Sequence, residues 1–272
     1  MRLISICPSN TELAAYLGLT DELIAVDDFS DWPQQVNGLP RLGPDLSIDM
    51  NLVEQMEPDL VLASLSVPGM EKNVEELKKR KIPHLVLNPQ SFKDIGNDLI
   101  TVGIAAGKEK EAQEVAARYH QIIDSYKEKS AELTDYPSVY FEWWPNPIFT
   151  PGKVNWLTEM CELAGGRNIF SDVELASVQT DWDDVARRNP DHICLAWVGV
   201  KQSRMKAQHV LKRASSESIT AVIENRIHLL EEQLYCRPSP RLLAGLAKLA
   251  AILHPEHHSQ VDEKDELMYS MK

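Results

Sequence analysis

Apolar residues fall in short blocks along this chain, and the polar stretches between the blocks carry helical spacing. The blocks predict strands over 3–7, 22–26, 60–63, 82–87, 139–142, 192–196 and 227–230. Between them, periodic stretches predict helices over 8–17, 50–56, 71–80, 92–106, 109–133, 155–164, 182–188 and 242–253, with a further helix running from about 200 to 222. Ser9 or Asn10 is the expected cap of the first helix, with Glu12 at capping-box distance from Ser9, and Gly18 ends it. Loops are expected at 29–33, 42–45, 66–69, 143–147 and 197–199. Strands that alternate with helices indicate parallel sheets covered on both faces.

One phrase occurs twice. Glu57-Pro58-Asp59 leads into Leu60-Val61-Leu62-Ala63, and Asn189-Pro190-Asp191 leads into His192-Ile193-Cys194-Leu195-Ala196. Each copy follows a helical stretch, and proline cannot continue a helix. Each therefore reads as helix, stop, buried strand. The copies flank the 109–133 helix, in which Ala112, Val115, Ala116, Tyr119, Ile122, Ile123 and Tyr126 form one apolar stripe. At 1.5 Å per residue such a helix is about 37 Å long, enough to span a small domain. The expected class is α/β: two Rossmann-like lobes joined by one long rigid helix, with a ligand cleft between the lobes. The expected boundaries are 1–106 for the first lobe, 107–134 for the connecting helix, 135–258 for the second lobe and 259–272 for an acidic tail.

Composition narrows the function. With 43% hydrophobic and 25% charged residues, the chain of 272 residues has the makings of a real core. A net charge of −13 lacks the basic footprint that nucleic acid requires. The first apolar run stops at Pro8, too short for a secretory core, and no stretch approaches a membrane span. As it stands the chain is expected in the cytoplasm, or extracytoplasmic or membrane-tethered if a leader has been removed. Cys7, Cys161, Cys194 and Cys236 show no metal or redox spacing. Cys7 and Cys194 lie in strand runs as small core hydrophobes, while Cys236 is the most accessible thiol expected. His254, His257 and His258 cluster, but no metal site is expected.

Catalytic motifs are missing: there is no nucleophile elbow, phosphate loop, dinucleotide fingerprint or zinc-protease helix. Asp181, Asp183 and Asp184 read as a helix N-terminus rather than an acid/base pair. Arg237 and Arg241, near a helix start, suit either an anion or a surface ion pair. Ligands in parallel α/β sheets sit beyond the carboxyl ends of the strands. The loops there hold Asn10, Phe29, Trp32, Ser64, Ser66, Trp143, Trp144, Trp197, Tyr235, Arg237 and Arg241, including four of the six tryptophans. Aromatic walls with a few polar anchors suit a large, flat, partly apolar ligand, although the same aromatics can also cover helix ends.

The order of motifs resembles the class III substrate-binding proteins of ABC importers, nearest to the cobalamin-binding branch. The stretches that carry it are Pro8-Ser9-Asn10-Thr11-Glu12-Leu13, Phe29-Ser30-Asp31-Trp32-Pro33, Met50-Asn51-Leu52 through Pro58-Asp59-Leu60-Val61, Asn146-Pro147-Ile148-Phe149-Thr150-Pro151-Gly152, Gly165-Gly166-Arg167-Asn168-Ile169-Phe170 and Arg237-Pro238-Ser239-Pro240-Arg241. The resemblance implies a noncatalytic binder of a corrinoid such as cobalamin, with no covalently bound cofactor. The partners it implies are the ligand and an ABC permease, and the chain is expected to be a monomer. By position, Phe29 and Trp143 match corrinoid-contacting aromatics, and Arg237 matches a polar contact. Trp32, Ser64, Trp144, Trp197 and Tyr235 complete the expected binding set. Asp183 matches a carboxylate that docks on the transporter. Its first-lobe counterpart falls at Asn51, with Asp49 or Glu54 as substitutes. Asp45, Ser64 and Ser177 stand where a cobalamin binder can offer tryptophan, and Gln233 stands at an often acidic position. The alternatives are a haem or ferric-siderophore binder of the same fold, and a cytosolic enzyme or chaperone that handles a cofactor.

Overall fold

The computed structural model describes residues 1–258 and 265–269, apart from the side chains of Glu266 and Tyr269. The chain divides into two compact units, and the long helix begins in the first and ends in the second. In the first unit, β1 (Leu3–Ser5), α1 (Pro8–Tyr16), β2 (Leu23–Val26), α2 (Met50–Gln55), β3 (Leu60–Ser64), α3 (Glu71–Lys79), β4 (His84–Leu87) and α4 (Phe92–Ala105) precede α5 (Glu109–Ala131). Its four strands are parallel in the order β2-β1-β3-β4. Ile4, Ala25, Val61 and Ala63 of the sheet pack with Val53 of α2 and with Val74 and Leu77 of α3 in one core. Alternating side chains of a covered strand both meet apolar layers, which is why these strands read as continuous apolar blocks.

The cap of α1 differs from expectation. Cys7 is the N-cap and Pro8 the first helical residue. Proline has the helical φ built in, and the N–H it lacks would have had no intrahelical partner there. All nine residues of α1 are buried, so the helix shows no amphipathic stripe. Between α4 and α5 the approach is close because glycines line it. A Cβ on Gly103 would stand 2.1 Å from the Ala112 Cβ, and one on Gly96 would meet the His120 ring at 2.5 Å. The predicted stripe of α5 is buried from Ala112 to Ile123 and half-buried at Tyr126. The helix is not the only crossing, because Pro238–Pro240 groups with the first unit.

The second unit holds β5 (Ser138–Glu142), β6 (Trp144–Pro145), β7 (Ile148–Pro151), α6 (Trp156–Leu163), β8 (Arg167–Asn168), β9 (Ser177–Thr180), α7 (Trp182–Arg188), β10 (His192–Leu195), α8 (Gln208–Leu211), α9 (Thr220–Ile223), β11 (Ile227–Leu229), α10 (Glu232–Tyr235) and α11 (Leu242–Leu253). Its parallel sheet runs β11-β10-β5-β8. Taken from the first strand of each unit, this is the same topology as in unit one, with β5, β8, β10 and β11 in the places of β1, β2, β3 and β4. The α/β class and the two Rossmann-like lobes are therefore as the pattern predicts.

Two expectations fail here. The 143–147 loop is instead the start of a three-stranded antiparallel sheet, β6-β7-β9. Pro145, Pro147 and Pro151 hide its alternation, since proline in an apolar run demotes the strand reading. The helix expected from about 200 to 222 is broken into α8, α9 and two 3₁₀ turns at Gln202–Arg204 and Ser216–Ser218. Its buried residues are Met205, Val210, Ser216, Ile219 and Ala221. Steps of five, six, three and two residues follow no single helical face. Of the tail expected at 259–272, residues 259–264 and 270–272 lie outside the described residues, whereas α12 (Glu266–Tyr269) is a short helix with Leu267 buried.

The repeated phrase has one structural meaning in both units. The residue before the proline, Glu57 or Asn189, turns left-handed at φ 44° in each copy, which ends α2 and α7. The aspartate that follows then clasps the start of the central strand. The Arg2 N–H donates to Asp59 Oδ2 at 2.6 Å, and the Asp59 N–H donates to Arg2 O at 2.9 Å. Likewise the Ser138 N–H donates to Asp191 Oδ2 at 2.8 Å, with the Ser138 hydroxyl joining at 2.6 Å. The Asp191 N–H returns the bond to Ser138 O at 2.9 Å. Each clasp sits one step before the first paired residues, Leu3 with Leu60 and Val139 with His192, and so fixes strand register. Asp191→Ala leaves half-buried donors unmet and should cost about 1–3 kcal/mol in urea unfolding. Asp59→Ala should cost less, because water reaches that exposed carboxylate.

On the far strands of the second sheet, His192 Nδ1 and His228 Nε2 lie 3.0 Å apart with the rings stacked. Burial, then His228 and Arg226, push the His192 imidazole down to about 4, against the opposing pull of Asp191. Burial and Arg226 also lower His228. Both folded values lie below the unfolded value of about 6.5, so the unfolded chain binds more protons in acid. The pair therefore contributes stability that is present above about pH 6.5 and is lost as pH falls toward 4. Asp98, whose carboxyl burial lifts to about 7, acts in the opposite sense over the same range, so the His192 contribution is read by difference. Between pH 7.5 and 5 the unmodified protein should lose about 1–2 kcal/mol relative to His192→Leu in urea unfolding.

Candidate functional site

Each parallel sheet carries aromatic and polar residues on the loops at its carboxyl ends. In the first unit the loop after β2 hangs from Asp27, whose side chain is fully buried. Asp27 Oδ2 accepts the Phe29 N–H at 2.8 Å and the Ser30 N–H at 3.1 Å. Its Oδ1 accepts the Ser30 hydroxyl. Ser30 Oγ meets Thr11 Oγ1 at 2.7 Å, and Thr11 donates to Ser5 Oγ at 2.8 Å. From the other side Arg41 donates to the carbonyls of Asp27, Ser30 and Val36. The loop so held presents Phe29 half exposed, at 50%. Trp32 is half-buried and leans on Tyr16, with ring centroids 5.4 Å apart. Ser64, the last residue of β3, is buried and bonds its own turn through Ser66. Asn10 is buried near the start of α1, and its amide nitrogen meets no partner among the described residues.

In the second unit an aromatic loop leaves β5, the counterpart of β1, at Glu142, also fully buried. Glu142 accepts the Trp197 indole N–H at 3.1 Å, the Tyr140 hydroxyl at 2.9 Å and both terminal nitrogens of Arg213, at 2.5 and 3.0 Å. The Arg213 guanidinium lies over the Trp182 ring, 4.6 Å from its centroid. Burial and the neighbouring Glu142 push the Tyr140 phenol well above its ordinary range, so it stays a donor. Trp143 is half-buried against Trp156 at 5.6 Å, and its indole N–H meets no partner among the described residues. Trp156 reaches the Tyr235 carbonyl at 2.9 Å, which links Trp143 to the loop after β11. Trp144 is exposed, at 44%.

The expected binding residues thus divide by burial. Phe29 and Trp144 are open, Trp32 and Trp143 partly so. Trp197 and Tyr235 are buried. Arg237 donates to Glu232 at 3.0–3.1 Å. Cys236 is half-buried and donates to the Ala196 carbonyl at 3.1 Å, and burial pushes its thiol well above the ordinary range. His254 is buried against the Gly165 carbonyl. Among the described residues, no three metal-ligating side chains gather.

The two helices before the repeated phrase are also comparable position by position. Asp49 caps α2 by accepting from Asn51 N and Leu52 N, and Asp181 caps α7 by accepting from Asp184 N. Asp49 therefore corresponds to Asp181, and Asn51 corresponds to Asp183, the exposed second residue of α7. Glu54 is exposed but paired with Arg80 at 2.8 Å, and Arg80 also donates to Asn51 Oδ1 at 2.8 Å. The α2 face presents a neutralised cluster where the α7 face presents a carboxylate.

Sequence reasoning missed Asp27, Arg41, Glu142 and Arg213. The first and third had a legible signal, a carboxylate directly after an apolar strand block. Arg41 and Arg213 had none, because their partners lie 14 and 71 residues away.

Residues 3–234 match the model of the periplasmic binding protein family. An uncharacterized ABC transporter substrate-binding lipoprotein of Bacillus subtilis is 30% identical over 94% of this chain and 80% of its own length. A vitamin B12-binding protein of Vibrio campbellii is 27% identical over 97% of this chain and 91% of its own. The periplasmic haem-binding protein of Roseiflexus sp. RS-1 in its apo form superposes with a TM-score of 0.82 over 94% of this chain and 99% of its own, at 18% identity, a likeness of fold alone. Among the described residues, no helix is long and apolar enough to cross a membrane. The chain belongs to the periplasmic binding protein family: it is a solute-binding protein of the ABC-uptake class, not an enzyme.

Proposed function

We propose that this protein binds a corrinoid, cobalamin or a close analogue, and hands it unchanged to an ABC permease. The observation that carries the reading is the open aromatics at the carboxyl ends of parallel strands, Phe29 after β2 and Trp143-Trp144 after β5. Exposed aromatic surface of this size forgoes roughly 1.5–3 kcal/mol of burial per side chain unless something covers it. A broad macrocycle with apolar faces and a polar rim fits that demand, and the vitamin B12-binding relative at 27% identity supports the corrin over other macrocycles. Phe29 and Trp143 are the proposed ring contacts, with Trp32 and Trp144 beside them. Arg237 serves the rim by sharing its guanidinium with Glu232. Ser64 lines the turn after β3, and Trp197 and Tyr235 back the wall. Asp183 is the proposed contact with the permease. A lipoprotein among its relatives supports a site of action outside the cytoplasmic membrane, and the proposed acting form is a monomer.

Cyanocobalamin, dicyanocobinamide, hemin and a ferric hydroxamate should be titrated separately by calorimetry and visible absorbance. A corrin should bind with micromolar or tighter Kd and shift its visible bands. Phe29→Ala and Trp143→Ala should each weaken it about 10- to 100-fold, or about 1.4–2.7 kcal/mol. A Soret shift with hemin, or saturable ferric-hydroxamate binding, without any corrin response would reassign the ligand. Silence with all four would overturn the reading.

A further inference from the structure

Asp27 and Glu142 share a pattern, although their strands are non-equivalent. Each is fully buried, each stands at the carboxyl end of a parallel strand, and each is followed within two residues by an aromatic side chain, Phe29 or Trp143. We propose that both are positioning residues, buried carboxylates from which the ligand-facing aromatic loops are hung. The proposal rests on the reading of those loops as ligand contacts and adds what holds them in shape.

The physical need is clear from the loop tips. Phe29 and Trp144 are exposed, so the loops gain little order from burying their own apolar surface. Order must come from polar contacts behind the tip. A carboxylate is suited to this because both oxygens accept and neither donates. Asp27 collects two successive backbone N–H groups and a hydroxyl, which fixes the backbone beneath Phe29. Arg41 clamps the carbonyls of the same residues. Glu142 acts through its neighbours. It pins the Trp197 indole and Arg213, and the adjoining Val198 N–H donates to the Trp143 carbonyl at 3.2 Å. The irregular segment around Arg213 is thereby tied to the strand that launches Trp143 and Trp144. A buried ion pair of this kind contributes little net stability compared with apolar packing, and positioning accounts for the arrangement better than stability does.

The two sites differ in a way that substitution can read. At Asp27, an asparagine can keep one oxygen on the backbone N–H pair and turn its amide to Ser30, whose hydroxyl can accept. At Glu142, Arg213 occupies both oxygens, so a glutamine must point an amide at a guanidinium in either orientation. Asp27→Ala and Glu142→Gln should therefore weaken dicyanocobinamide, or hemin if that is the probe that binds, at least 10-fold. Asp27→Asn should restore binding to within about threefold of the unmodified protein. Leu77→Ala and Leu249→Ala, core changes in the first and second units, should lower the melting temperature and leave affinity per folded molecule unchanged. Amide exchange at Phe29 and Ser30 should quicken at least 10-fold in Asp27→Ala, and the Trp197 indole N–H resonance should move in Glu142→Gln. Binding and exchange at unmodified levels in both variants would overturn the proposal. If the unmodified protein binds no probe, the functional reading fails alone, and the exchange and indole signals still decide whether these carboxylates hold the loops.

Discussion

The reciprocal contact between an aspartate and the first strand of each sheet is the constraint on which the remaining structure depends. Asp59 receives the Arg2 N–H and returns its own, and Asp191 does the same with Ser138. Because strand side chains alternate, a slip of one residue would turn Ile4 and Val61, or Tyr140 and Ile193, away from their own layers. Register fixed at the amino ends also fixes which residue emerges at the carboxyl ends. Ser64, Trp143 and Trp197 reach the rims of their sheets because the count of residues from the clasp is right.

The two units use one plan but spend its surface differently. The helices before the clasps have the same length of lead-in, the same aspartate cap and the same left-handed exit. On α7 the second residue is a carboxylate in water. On α2 it is Asn51, drawn with Glu54 into the grip of Arg80. The exposed carboxylate at the second helical position of one unit is thus absent from the other, although the backbone beneath is equivalent. Symmetry of fold and asymmetry of charge coexist because the first depends on backbone and buried groups, while the second depends on a few exposed side chains that packing does not constrain.

The loops at the strand ends separate side chains open to water from the groups that hold them. The aromatic tips are exposed and contribute little to either core, so they can change freely. Behind them stand groups that cannot: Asp27 with Arg41, Glu142 with Arg213. Glu142 and Arg213 satisfy each other, whereas the Asp27 carboxylate meets backbone N–H groups and Arg41 meets the loop's carbonyls, so removing any of them leaves polar partners unmet at a cost above that of altering a tip. Side chains open to water and side chains that hold the loop are therefore under different physical demands, even when they are neighbours in sequence.

Much of this was legible beforehand. The doubled Pro-Asp phrase marked equivalent strands, the apolar stripe of α5 marked its buried face, and Asp181 announced a helix start, because each depends on short-range periodicity or on local backbone chemistry. The prolines of β6 and β7 concealed a sheet whose pairing partner, β9, lies some thirty residues on, and the 200–222 segment mimicked a helix while its buried residues followed no helical face. Nor did the sequence reveal that Trp197 and Tyr235 are buried or that Arg80 neutralises Glu54. What the sequence determined by itself was the repeated α/β unit and the family to which it belongs. Which side chains face water, which carboxylates are paired and which aromatics stay open were decided only by tertiary structure, since burial and pairing depend on residues far apart in the chain.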